Sequence, residues 1–300
     1  MIKFHAECMS CLAQSALRKS ESIRNERLRA EYMRRACRIM AETDLEYDSA
    51  PLVDSRLVRL RRELLGIEED YTAAKHEFNQ LLLGVYDRMK ARVQAAEDPL
   101  YAAIQFAMAG NYVDFNVVKD VTSDRLMEML ENAADTALDP QEYARFRAEL
   151  EGPGEIIYCH DNCGEVVLDK LLIETIRSLY PQLHVVSVVR EAPVTNDACR
   201  DDAGEIGLAE VAEIAGNGIP DLPGTQVDLL PEDLRARMEK AKLIIAKGQG
   251  NFETMIGCGL NVYYVFLCKC QLYVKWFGLE QFSGMFINER RLKLQEGFGL

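Results

Sequence analysis

Three polar clusters in this chain carry residue types able to handle a phosphate and a divalent cation. Asp161-Asn162-Cys163-Gly164-Glu165 follows the apolar run Ile156-Ile157-Tyr158. Asn196-Asp197 follows the run 185–189, and Lys247-Gly248-Gln249-Gly250-Asn251 follows Leu243-Ile244-Ile245-Ala246. If each run is a strand of one parallel sheet, every cluster lies just beyond a strand's carboxyl end, where open α/β sheets bind ligands. Two carboxylates and an amide (Asp161, Asp197 and Asn162) suit a hard divalent cation. A lysine and a glycine-rich turn suit the phosphate that such a cation would bridge. The chemistry implied is metal-dependent phosphate chemistry.

Electrostatics supports the pairing. Two carboxylates about 5 Å apart repel by about 3 kcal/mol at an effective dielectric of about 20. Without a cation one of them tends to take up a proton. Two acids, an amide and water fit Mg²⁺ or Mn²⁺ better than zinc, which favours His and Cys. Cys159, His160, Cys163 and Cys199 lie close in sequence and leave room for a softer ion, Co²⁺ or Ni²⁺. Taken singly, each motif has a plainer explanation. Asp-Asn often makes a turn, Asp197 can cap a following helix, and acids such as Glu165 suit a first helical turn. The 247–251 segment is no Walker motif, but it can present N–H groups at a helix start, with Lys247 as a point charge.

The elements that must position these residues fall into two parts. Residues 9 to about 148 read as helical. Apolar positions between 52 and 89 (Leu57, Leu60, Leu64, then Phe78, Leu81, Leu82, Val85, Met89) recur at three- and four-residue steps. Asp98-Pro99, Ser123-Asp124 and Asp139-Pro140 read as helix starts. Five to seven helices are expected. Composition changes at Glu151-Gly152-Pro153-Gly154, which divides the chain into a helical domain, 1–150, and an α/β domain, 151–300. In the latter, β-rich runs alternate with helical stretches: 155–160 then 164–180, 184–190 then 204–215, 243–247 then 251–258, and 261–267 then 270–277. That rhythm predicts a mostly parallel sheet with helices on both faces. Residues 216–231, rich in Gly, Pro and Asp, read as a long loop with a short strand at 225–227.

Bulk properties narrow the function. A net charge of −13 argues against nucleic acid as a partner. Basic runs such as Arg59-Leu60-Arg61-Arg62 read as solvated helix faces. The opening residues lack a signal-peptide core, and the longest apolar stretch, 262–267, is too short to span a bilayer and reads as a buried strand. The protein is expected to be cytoplasmic, its nine cysteines thiols or metal ligands rather than disulfides. His5, Cys8 and Cys11 have the spacing of a partial structural zinc site, the fourth ligand coming from Cys37 or another distant cysteine; buried free thiols at a helix start are the alternative.

Taken together, Asp161-Asn162-x-Gly164-Glu165, Asp197, and Lys247-Gly-x-Gly-Asn251-x-Glu253 resemble the damage-control phosphatases. Gly110-Asn111-Tyr112-Val113-Asp114-Phe115 is similar to a signature in that family's helical portion, and Cys8-Met9-Ser10-Cys11 to the start of its prokaryotic branch. Cys163 departs from the alanine the family often carries there. The resemblance implies a helical part plus a Rossmann-like, three-layer αβα domain. It implies a metal-dependent phosphatase acting on small phosphometabolites, sugar phosphates among them. Asp161, Asn162 and Asp197 match its metal positions. Lys247, Gly248, Gly250 and Asn251 match its phosphate-contacting segment, and Asn111 and Asp114 would approach from the helical part. Two other classes remain open: a methyltransferase-like small-molecule transferase, and a non-catalytic interaction protein in which a metal is a clasp. The first is disfavoured because Asp161-Asn162 stands where a glycine-rich turn would follow the first strand.

Overall fold

The computed structural model describes residues 3–66, 69–110, 122–133 and 136–292. Among them, eight helices precede the first strand: α1 (Ala6–Ser20), α2 (Glu26–Ala41), α3 (Ala50–Leu65), α4 (Thr72–Leu83), α5 (Tyr86–Gln94), α6 (Pro99–Ala109), α7 (Ser123–Ala133) and α8 (Pro140–Leu150). The periodic stretch 52–89 is thus three helices. Left-handed Gly66 stops α3, and a break at Gly84-Val85 separates α4 from α5. The expected starts at Asp98 and Asp139 are real caps. Asp98 accepts from the Tyr101 N–H, and Asp139 from those of Gln141 and Glu142. At α7 the capping hydroxyl is that of Thr122, bonded to the Arg125 N–H.

From residue 154 the chain alternates: β1 (Gly154–Cys159), α9 (Glu165–Leu179), β2 (Leu183–Val189), α10 (Arg200–Glu205), β3 (Glu213–Gly216), α11 (Glu232–Lys240), β4 (Leu243–Lys247), α12 (Gly248–Met255), β5 (Val262–Leu267), α13 (Gln271–Phe277) and β6 (Gly284–Asn288). One sheet runs in the order β3-β2-β1-β4-β5-β6, parallel except for β6 against β5. The expected helix over 204–215 is absent. Left-handed Gly207 ends α10 and its trailing turn, and the chain passes through a 3₁₀ turn (Leu208–Glu210) into the edge strand β3. The expected strand at 225–227 is instead a 3₁₀ turn, Val227–Leu229.

Side-chain alternation along the strands sorts the core into two layers. Ile156, Tyr158, Val185, Ile245 and Tyr263 face one cluster, with Leu82, Met89, Ile104, Phe146 and Leu172 from α4, α5, α6, α8 and α9. Ile157, Val186, Ile244, Tyr264 and Phe266 face the other, with Leu12, Tyr32, Leu57, Leu234 and Phe252 from α1, α2, α3, α11 and α12. This is a three-layer αβα arrangement, and each core draws on residues from both sides of position 151. The basic run on α3 is only partly solvated: Arg59 and Arg62 face water, while the Arg61 side chain is 13% exposed.

Phe252 anchors α12 to the sheet, its ring about 5 Å from those of Tyr264, Phe266 and Tyr273. It is fully buried. Phe252→Ala is expected to cost about 3–5 kcal/mol in unfolding free energy, through lost transfer energy and the cavity left behind. Denaturant titration of parent and variant checks this.

Candidate active site

The sheet order changes direction between β1 and β4. Their carboxyl ends form the crevice that doubly wound sheets use for ligands. The segments after β1 and β2 meet there because they pair with each other. The Ala198 N–H donates to the Asp161 carbonyl (2.7 Å) and the Cys163 N–H to the Asn196 carbonyl (2.9 Å). Asn162 and Asp197 thereby sit opposite one another in an antiparallel bridge. The turn that delivers Asp197 holds Thr195 at a φ of 45°, a strained conformation for a β-branched residue.

The third cluster closes onto the first at Gly248. Its φ is 75°, and a Cβ added there would lie 1.8 Å from Asp161 Oδ2, so the acid rests against the bare backbone that opens α12. Behind it, Lys247 is fully buried, its Nζ 2.7 Å from Asp169 Oδ1 and 3.2 Å from Glu165 Oε1. Asp169 also accepts from the Tyr158 hydroxyl (2.8 Å) and lies 2.9 Å from His160 Nδ1. Asn251 spends its side chain on the protein. Its amide donates to the His160 and Lys247 carbonyls (2.9 and 2.7 Å) and accepts from the Thr225 hydroxyl (2.8 Å). What this segment can offer a phosphate is therefore its backbone N–H groups and the charge of Lys247.

The residue that binds these pieces together is Arg190, at the end of β2. It is fully buried. Nε donates to Asp197 Oδ2 (2.7 Å), Nη1 to the Gly224 carbonyl and the Thr225 hydroxyl (2.6 and 3.1 Å), and Nη2 to the His160 carbonyl and Asn251 Oδ1 (3.2 and 3.4 Å).

The charges are in tension. Burial holds the Asp161 carboxyl well above the ordinary carboxylate range, and the negative charges of Glu165 and Asp197 add to the effect; Arg190 and Lys269 offset part of it. Burial also raises Asp197, against the pull of Arg190. Burial works against the Lys247 ammonium, but Asp169 and Glu165 outweigh it and keep the lysine protonated. Asp169 is held below its ordinary value in spite of burial, by Lys247 and His160. Four buried carboxylates (Asp161, Glu165, Asp169, Asp197) thus surround the buried cations Lys247 and Arg190, with Lys269 and Lys75 acting on Asp161 and Asp197 from beside them.

Comparison with known proteins gives the family and the fold. The profile of the damage-control phosphatase ARMT1-like domain matches residues 4–284. The chain belongs to that family. It is 28% identical to a damage-control phosphatase of Archaeoglobus fulgidus over 285 residues, 93% of this chain and 96% of the relative. It is 26% identical to a damage-control phosphatase of Pyrococcus horikoshii over 272 residues, 90% and 92% of the two chains. The fold matches a crystal structure of a DUF89 family protein from P. horikoshii with a TM-score of 0.81 at 24% identity, over 95% of this chain and 98% of that one.

In this damage-control phosphatase family member, Asp161, Asn162, Asp197, Lys247 and Gly248 are brought together, with Gly250 two residues further along α12. Asn111 and Asp114 lie outside the described residues; Gly110, just before them, packs against Glu165. From sequence alone Glu165 reads as a first-turn acid, and neither Asp169 nor Arg190 stands out. Asp169 carried a signal: an acid inside the apolar run Val166-Val167-Leu168-Asp169, four residues from Glu165 and so on the same helix face.

Asp161 and Asp197 with the amide oxygen of Asn162 are the donor types a hard divalent cation takes; here the Asn162 Nδ2 donates to Asp161 Oδ2 (2.7 Å), and its oxygen would have to turn to a cation. Among the described residues no three His, Cys, Asp or Glu side chains are grouped to hold a metal ion. Away from the crevice, Cys8 is buried and Cys11 exposed, both as free thiols, and burial pushes Cys8 up to about 12. His5 packs edge-on against Trp276, ring centres 4.8 Å apart.

Two substitutions test this geometry. Gly248→Ala must displace Asp161, and turnover is expected to fall about 100-fold with the melting transition still cooperative. Arg190→Met strands Asp197 as a buried unpaired acid and is expected to cost about 3–5 kcal/mol of stability by denaturant titration.

Proposed function

We infer that the protein is a damage-control phosphatase that hydrolyses small phosphorylated metabolites, sugar phosphates included, with Asp161, Asn162 and Asp197 holding a divalent cation, Mg²⁺ or Mn²⁺ (Co²⁺ or Ni²⁺ as substitutes). The observation that carries this reading is the pairing of two mutually destabilised carboxylates with a buried lysine and a helix start at one switch point, in a chain of this family. Burial raises both Asp161 and Asp197, and a divalent ion between them would relieve that penalty. Bound there, the cation would neutralise phosphoryl charge and lower the pKa of water.

The chain's own groups account for the rest. The N–H groups opening α12 would receive phosphoryl oxygens, since a helix start favours negative charge. Lys247, kept charged by Asp169 and Glu165, adds electrostatic stabilisation as charge builds on those oxygens. Gly248 lets the backbone approach closely. We assign the attack to water rather than to the Asp161 carboxylate, because Asp161 is needed as a ligand; acid-quenched samples should then contain no aspartyl-phosphate. Among the described residues no helix is long and apolar enough to cross a membrane. The nine free cysteines suit a reducing compartment, and we place the protein in the cytoplasm.

Phosphate release by chelator-stripped protein, with single metals and a panel of sugar phosphates, phosphopantetheine and p-nitrophenyl phosphate, tests the reading. Metal-dependent turnover should drop at least about 100-fold in Asp161→Asn and Asp197→Asn. Absence of turnover with every metal would overturn it. The pH dependence has a definite sign. Both acids bind protons more tightly than usual. Protons therefore compete with the cation, and its affinity should weaken as pH falls, by up to about tenfold per unit for each proton displaced. Thermal-shift titration with Mn²⁺ from pH 8 to pH 6 measures this, and Asp161→Asn should flatten the slope.

A further inference from the structure

Beside the carboxylates lies a pocket of about 100 Å³, between one face of α3 (residues 54–62), residues 69–71 and the loops around 194 and 222. Two of its walls belong to the active site. Thr195 Oγ1 is 3.5 Å from Asp197 Oδ1. The Pro223 carbonyl stands 3.6 Å from where a Cβ on Gly250 would be, in the phosphate-binding segment. A group bonded to a phosphate at the crevice therefore has this pocket as a neighbouring compartment.

Its polar wall is built around Arg61. The side chain is 13% exposed and is held by an ion pair from Nη1 to Glu69, whose other oxygen accepts from the Tyr71 hydroxyl (2.7 Å). The Arg61 Nε is buried and has no hydrogen-bond partner among the described residues. A buried N–H without an acceptor is costly, and a ligand oxygen in the pocket would supply one. Asp54 lines the same space, raised by burial, with Lys19 opposing and Glu69 adding to the shift. Arg62 is bound to Asp221 (2.7 Å). Both arginines that line the cavity are already engaged by acids, Arg61 by Glu69 and Arg62 by Asp221, so a second phosphate or a carboxylate is poorly served there. A neutral hydroxyl fits, accepting from Arg61 and donating to Asp54. The volume is well below the several hundred Å³ that enclose a larger organic ligand.

We propose that Arg61 is a specificity-determining residue: with Asp54 it reads a hydroxyl on the uncharged alcohol part of the substrate, favouring monophosphates of small polyhydroxylated alcohols over bisphosphates and nucleotides. This rests on the phosphatase reading above. Arg61→Met keeps the aliphatic stem and removes the N–H groups; Arg61→Lys keeps the charge but not the Nε–H.

The experiment is steady-state kinetics of the full chain, parent and both variants, on a pentose phosphate, a hexose phosphate and p-nitrophenyl phosphate. The expected result is a loss in kcat/KM on the sugar phosphates at least tenfold larger than on p-nitrophenyl phosphate, mostly in KM, with Lys failing to restore it. Equal losses on all substrates in a folded variant, or an unchanged preference, would overturn the proposal. If the parent releases phosphate from none of them, the phosphatase reading has failed. The pocket is then judged by calorimetric titration with the hexose phosphate: binding weakened at least tenfold by Arg61→Met supports it, and equal binding or no binding by the parent rejects it.

Discussion

One buried guanidinium sets the geometry on which the rest of the site depends. Arg190 reaches the loop after β1 through the His160 carbonyl, its own loop through Asp197, the 224–225 segment, and α12 through Asn251. No apolar contact could do this, because dispersion is non-directional while five N–H groups in a rigid plane fix positions as well as proximity. Burying such a charge costs several kcal/mol in lost hydration, recovered only if its donors are satisfied. Here every donor nitrogen has an acceptor. The arrangement is over-determined: displacing any one of these segments removes acceptors from a buried arginine, and displacing the Asp197 loop removes its ion pair.

The same logic explains why the functional carboxylates can be buried at all. Asp161 rests on the bare backbone of Gly248, near the positive end of α12, and Asp197 rests on Arg190. Neither support is enough to hold its acid at an ordinary pKa. A site with satisfied acids would have little to gain from a cation. One with strained acids converts binding into relief of repulsion, and the strain is held by packing elsewhere, including the aromatic contacts of Phe252, the residue after Asn251. Glu165 and Asp169 are the counterweight: on one face of α9 they keep Lys247 charged where burial alone would strip its proton.

How much of this the sequence reveals depends on how local each feature is. The strands ending at Asp161 and Lys247 are short apolar runs closed by polar turns, and the caps at Asp98 and Asp139 lie within a few residues of what they cap; such signals are complete in a window. β3 escapes notice because it is a four-residue edge strand with half-exposed side chains, and β6 because its pairing with β5 is long-range. Arg190 escapes for a different reason. An arginine before Glu191-Ala192-Pro193 looks like a charged strand end, and only tertiary structure brings five acceptors to it. Arg61 sits in a basic run whose neighbours do face water, so one-dimensional charge patterning averages over the residue that turns inward.

The helical segment also does more than cover the sheet. From α4, Asn79 accepts from the Gly164 N–H (2.8 Å) and donates to Glu205 (2.9 Å), and Lys75 pairs with Asp202 (2.6 Å), which caps the Cys199 N–H. One helix thus grips the loop after β1 and the start of α10 after β2, the two segments whose pairing sets Asp161 beside Asp197. On the opposite layer α3 lends Asp54, Arg61 and Arg62 to the adjoining pocket. The site therefore has walls from both helical layers, joined only at the carboxyl edge of the sheet. Changes of substrate can be made in α3 and its following loop without touching the Arg190 framework, because the pocket's charges are paired among themselves rather than with the cluster that holds the acids.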